Sequence, residues 1–131
     1  MRIVLEKKEA EEFFHNALCN GLYYFSQYGL ELTYKDQEYK KARASLLKPD
    51  PTRVVCYEEV LMQILRDGNK LFVIDHEMAG EYNTSITLKD VHSRVAKTPL
   101  RFLNEMIDGD DDADTADQIL QTVFFKEVIF G

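Results

Sequence analysis

The chain has 131 residues, 45% of them hydrophobic and 11% aromatic, enough for one core that needs neither disulfides nor metal. Its 23 acidic against 16 basic residues give a formal charge of −7, which works against non-specific binding to phosphate backbones. No stretch approaches the roughly 18–20 apolar residues of a membrane helix. Two cysteines are too few for a disulfide scaffold, and the opening MRIVLEKKEAEEFF carries no signal-peptide core. The expectation is one cytoplasmic domain over 1–131 with no membrane segment and no direct nucleic-acid contact.

In chain order, Arg2 to Leu5 is rich in β-formers and predicts a short strand. From about Lys7 to Tyr28, Ala10, Phe13, Phe14, Ala17, Leu18, Gly21, Leu22 and Phe25 recur at the spacing of one buried helical face. Gly21 marks a close packing contact, and Gly29 ends the helix as a C-cap glycine. In its second half (ALCNGLYYF) this helix is apolar almost all round. It is therefore either central or covered by a partner, and the second option makes a homodimer. Leu30 to Tyr34 alternates as a half-buried strand, and Asp36 caps a short helix that turns Tyr39, Ala42, Leu46 and Leu47 inward.

Pro49 and Pro51 interrupt the chain before a helix over about Tyr57 to Asp67, with Val60, Leu61, Ile64 and Leu65 buried and Gly68 as its stop. Lys70 to Asp75 and about Tyr82 to Thr87 read as two strands joined by a turn containing Gly80. Thr87 with Asp90 forms a capping box for a helix carrying Leu88, Val91 and Val95. Thr98-Pro99 reads as N-cap and first position of the next helix, which buries Leu100, Leu103, Met106 and Ile107. After the acidic loop DGDDDAD, Asp114 or Thr115 caps a last helix with Ala116, Ile119, Leu120 and Val123 inward, and Phe124 to Phe130 reads as a closing strand. The fold class is α+β: four to six helices packed with a small, mostly antiparallel sheet.

The acidic loop invites a calcium site, because calcium prefers several carboxylate oxygens on a flexible loop. The EF-hand register fails: from Asp108 the glycine position falls on Ala113 and the closing glutamate on Ile119, and from Asp110 they fall on Thr115 and Gln121. A solvated helix connection whose aspartates favour the positive end of the next helix explains the loop at lower cost. His15 and Cys19 share a helical face, but no compact Cys/His pair adds the further ligands a metal needs from Cys56, His76 or His92. The same residues make no sequence-evident nucleophile pair, and Asp75-His76-Glu77 runs from a strand into a turn, where polar residues belong anyway. Phosphate-cradling glycine motifs are missing. Tyr23, Tyr24, Phe25 and Tyr28 could stack on a ring ligand, but core and interface packing explains them more cheaply. No catalytic residue, metal ligand or cofactor is expected.

The segments NALCNGLYYFSQYGLELTY, YEEVLMQILRDG, SITLKDVHSRVAKTPLRFLNEMI and DADTADQILQTVFFKEVIFG, which span most of the chain, resemble a group of small uncharacterised proteins of tailed bacteriophages. The resemblance implies a setting, the cytoplasm of an infected bacterium or a virion, and carries over no activity and no site residue. The leading functional expectation is a non-enzymatic interaction protein directed at a host protein, an inhibitor or nucleic-acid mimic. Its carboxylates at Glu6, Glu9, Glu11, Glu12, Asp108, Asp110, Asp111, Asp112, Asp114 and Asp117 would meet a basic groove. The alternative is a nucleotide-binding or sequestering protein that uses Arg94, Lys97, Thr98 and Arg101 around a helix start. A metal-dependent enzyme built on His15, Cys19 and the acidic loop stands third.

Overall fold

The computed structural model describes residues 4–131. Among them are six α-helices, one 3-10 turn and a three-stranded antiparallel sheet, the α+β architecture read from the pattern. The order is α1 (Lys7–Gln27), β1 (Leu30–Thr33), α2 (Asp36–Leu47), α3 (Tyr57–Arg66), β2 (Leu71–Asp75), β3 (Thr84–Ile86), α4 (Leu88–Arg94), the turn Val95–Lys97, α5 (Leu100–Asp108) and α6 (Ala113–Phe125). Arg2 and Ile3 of the strand expected over Arg2 to Leu5 lie outside the described residues, and Val4 and Leu5 are not in a strand.

Helix α1 is the spine. It buries Ala10, Phe14, Ala17, Leu18, Gly21 and Phe25, the face that the spacing marks out. It packs chiefly on α6, and also on α3, α4 and β1. The apolar circumference that suggested a homodimer is thus taken up within the chain, and of the large apolar side chains on α1 only Tyr23 stays 70% exposed. The crossing with α6 is close at Gly21, where a Cβ would stand 2.9 Å from Leu120 Cδ1 and 3.0 Å from Ala116 Cβ. Around the crossing, Phe14, Phe25 and Phe124 form one aromatic knot, with ring centroids 6.1 and 5.7 Å from Phe124. Each such fully buried side chain contributes about 1.5–3 kcal/mol.

The sheet runs β1-β2-β3, with Leu30 opposite Asp75, Thr33 opposite Phe72 and Leu71 opposite Ile86. Leu30, Leu71, Val73 and Ile86 face the helices and are buried. Asp75 builds the connection from β2 to β3. Its Oδ1 accepts the Glu77 and Met78 amides at 3.0 and 2.8 Å, and its Oδ2 accepts the Tyr82 amide at 3.2 Å. Burial opposes ionisation of Asp75, but these three backbone donors more than offset it and hold the carboxyl below its usual range. His76 pairs with Glu31 on the exterior instead, Nε2 to Oε1 at 2.8 Å.

Four local expectations are corrected. Helix α2 has Lys35 as N-cap, with Asp36 inside its first turn. Helix α5 has Pro99 as N-cap, and Thr98 is buried before it with no hydrogen-bonded hydroxyl. Its inward stripe is Phe102, Leu103 and Met106, while Leu100 and Ile107 are 42% and 54% exposed. Leu103 and Met106 are the residues of α5 that join the core, and packing them inward leaves Leu100 and Ile107 toward solvent. Helix α6 begins earlier than expected: Asp112 is the N-cap, its Oδ1 accepting the Thr115 amide at 3.0 Å.

The closing strand is absent. Phe124 and Phe125 end α6, Lys126 reverses the chain at φ 69°, and the tail folds back over α6 without joining the sheet. Its backbone partner is a side chain. Buried Gln121 accepts the Ile129 and Phe130 amides on Oε1, both at 2.8 Å, and donates from Nε2 to the Phe130 carbonyl at 3.0 Å. One amide side chain thereby does for the tail what a neighbouring strand would do.

Candidate functional site

The tail, α1, α5 and α6 together shape a cleft of about 420 Å³ lined by Tyr24, Tyr28, Arg101, Phe102, Asp114, Asp117, Gln118 and Gly131. Tyr24 and Tyr28 are four apart on α1, so their rings sit one turn above the other, stacked with centroids 6.3 Å apart. Phe130 from the tail also stacks with Tyr28, at 5.0 Å. From α6, Asp114 accepts the Tyr24 hydroxyl at 3.1 Å and Asp117 accepts the Tyr28 hydroxyl at 2.8 Å.

Asp117 is the unusual member. It is 5% exposed, and its Oδ2 takes two donors, the Tyr28 hydroxyl and Gln121 Nε2 at 3.0 Å. Its Oδ1 is enclosed and has no hydrogen-bond partner. Burial pushes the carboxyl above the usual range and the nearby Asp114 adds to this, against the pull of Tyr28 and Gln121. Tyr28 is pushed far upward by burial and then by Asp117, and Tyr24 upward by its bond to Asp114, so both phenols stay protonated as donors. An enclosed carboxyl oxygen without a donor is costly, roughly 1–3 kcal/mol for a neutral group and more for a charged one.

The other wall of the cleft is cationic. The Arg101 guanidinium lies 4.4 Å over the ring of Phe102 and forms no ion pair among the described residues. Of the other residues expected to hold an anion, Arg94 is engaged elsewhere, donating to the Val123 carbonyl at 2.8 Å and pairing with Asp90 at 3.1 Å. Lys97 is exposed and Thr98 buried, so Arg101 is the member of that set that lines the cleft.

The ten acidic residues separate into two groups. Glu6 and Glu9 close the start of α1, with the Glu6 amide donating to Glu9 Oε1 at 3.1 Å. Glu11 bridges two helices, meeting Arg66 and His92 at 2.8 Å each. Burial resists its ionisation, and those two partners outweigh it. Glu12 is exposed. The thirteen residues from Glu11 to Tyr24 put about 20 Å of helix between this end and the second group around α6. There Asp112 caps α6, Asp114 and Asp117 hold tyrosines, Asp108 and Asp110 are exposed, and Asp111 is half-buried.

Among the described residues no three His, Cys, Asp or Glu side chains converge to hold a metal. Cys19 and Cys56 are exposed. Burial raises the Cys19 thiol, and the nearby Glu58, Cys56 and Glu59 raise it further, which disfavours the thiolate a nucleophile needs.

Sequence reasoning named both halves of the cleft without joining them. Tyr24 and Tyr28 stood as an aromatic cluster, and Asp114 and Asp117 as part of an acidic surface. The available signal was Asp117 with Gln121: two polar residues four apart on a helix buried from Thr115 to Phe124 apart from half-buried Gln118. No protein-family model, curated protein or solved structure matches the chain.

Proposed function

We propose that the protein is a non-enzymatic binding module that takes a small polar ligand in the cleft between α1, α5 and α6. The observation that carries this reading is the enclosed, unpartnered Oδ1 of Asp117, a residue that lines a cavity together with hydroxyls, a second carboxylate and a guanidinium. Buried polar groups are ordinarily satisfied, and one left without a partner beside a cavity is a place for a ligand donor. The cleft's two tyrosine hydroxyls, paired with Asp114 and Asp117, are held protonated, which favours binding over turnover. The test is amide chemical-shift mapping against a set of polar fragments. Shifts should gather at Tyr24, Tyr28, Arg101 and Gln118, and fragments that shift only other regions, or none, refute the reading.

A second reading, an acidic surface directed at a basic host protein, is favoured by Asp108, Asp110 and Glu12, which are exposed and have no ion-pair partner among the described residues. It expects salt-sensitive capture of a basic protein from bacterial lysate that weakens in an Asp108→Asn, Asp110→Asn double variant. Capture unchanged by the double variant removes it.

A further inference from the structure

Resting on the reading of the cleft as a ligand site, we infer that its ligand is a small zwitterion: an amine that also bears an anionic group, its ammonium directed to Asp117 and Asp114 and its anionic end to Arg101. The cleft presents opposite charges from different helices, the carboxylates from the first two turns of α6 and the guanidinium from the first turn of α5. Although these groups line one cavity, none of them forms an ion pair with another. They are therefore held apart, and a ligand of matching polarity fits between them.

Each simpler ligand class meets an opposing charge. A plain anion meets two carboxylates, one of them enclosed. A plain cation is drawn to the carboxylates but leaves Arg101 unmatched and is repelled by it. A zwitterion answers both walls, and its ammonium brings the N–H donor that Asp117 Oδ1 lacks. Tyr24 and Tyr28 line the same cleft, and their protonated hydroxyls, which donate to Asp114 and Asp117, add no negative charge. Since Oδ1 is enclosed, entry requires a neighbouring side chain to turn aside. Half-buried Gln118, which lines the same cleft and has three rotatable bonds, is a side chain able to turn.

The test uses the full chain and three kinds of probe: n-butylamine, butyrate, and a ladder of unbranched ω-amino acids from glycine to 6-aminohexanoate. Binding is read by calorimetry and by amide shifts at the cleft. At least one amino acid in the ladder should bind roughly tenfold or more tighter than butylamine or butyrate, the worth of one additional charge-assisted contact. Arg101→Gln, at an exposed position, should bring that amino acid down to the affinity of butylamine, which itself should bind no more weakly once the repelling charge is gone. Asp117→Asn, its fold checked by circular dichroism, should weaken both amines. If butylamine matches every amino acid, or if Arg101→Gln changes nothing, the zwitterion assignment is overturned and the cleft stands as a site for a simpler cation. If butyrate alone binds, the ligand class is wrong and the site reading survives. If no probe shifts the cleft, the ligand assignment and the site reading fall together.

Discussion

Gln121→Leu removes a side chain that makes four hydrogen bonds: two accepted from the tail amides, one donated to the Phe130 carbonyl and one donated to Asp117. Leucine fills much the same space, so the perturbation is the loss of polar partners and not a cavity. Each intramolecular bond is worth about 1 kcal/mol net, which puts the loss near 4 kcal/mol if the tail stays docked with its amides unpaired. The tail has a cheaper escape. It can leave the surface and give its amides to water, forfeiting the contacts of Phe130 with Tyr28, Tyr82 and Phe125. Phe130 is only half-buried, so its release costs less than the roughly 3 kcal/mol of a fully buried ring. The expected destabilisation is therefore about 2–3 kcal/mol, limited by undocking. Urea denaturation measures it, and hydrogen exchange at the Ile129 and Phe130 amides shows whether the tail has left. Deleting residues 127–131 should leave the same substitution with less than half its cost, since most of what Gln121 holds is then gone. A loss below about 1 kcal/mol with both amides still protected would refute the assignment of Gln121 as the tail's surrogate strand.

At the helix crossing, Gly21→Ala gains about 1 kcal/mol of helix propensity but drives a Cβ into Leu120 and Ala116, so the net change should be a loss of about 1 kcal/mol, and Gly21→Val should lose more than 2 kcal/mol by thermal melting. Arg94→Ala should cost about 1–2 kcal/mol through its bond to the Val123 carbonyl; Arg94→Lys should recover little, because one ammonium cannot reach both Val123 and Asp90 as the guanidinium fork does. Because the folded-state pKa of Asp117 is raised, the stability it contributes is complete below the usual aspartate range and is lost as pH rises through the folded value; the melting temperature of the protein relative to Asp117→Asn should fall as pH is raised above the usual aspartate range, and a constant difference refutes this. Asp75 has the opposite sign: its lowered pKa means stability present at neutral pH and lost on acidification, so Asp75→Asn should be less stable at pH 7 and converge with the parent below about pH 3, as denaturation at the two pH values will show.

Much of the scaffold was legible in the residues. The α1 spacing, the Thr87–Asp90 capping box with its 2.9 Å bond, and Gly29 and Gly68 at positive φ just past their helices all follow from local chemistry. They are legible because each depends on residues within a turn or two of one another. The misread parts share another property. The rotation of α5 depends on which of its apolar residues, Leu103 and Met106, meet the core of the other elements, and the tail, apolar enough for a strand, is held by the Gln121 side chain on α6.

The cleft shows the division most sharply. Tyr28 and Asp117 are both visible in the sequence, one in an aromatic run and one in an acidic run, but they are 89 positions apart. Composition and periodicity determined that this is one α+β domain with an apolar spine and an acidic exterior. Only the tertiary structure decided that α6 crosses that spine at Gly21, brings a carboxylate under a tyrosine and leaves one oxygen without a partner. The physical reason is that periodicity reports which face of a helix is buried, whereas a site depends on which helix it is buried against, and that choice is made by packing over the whole core.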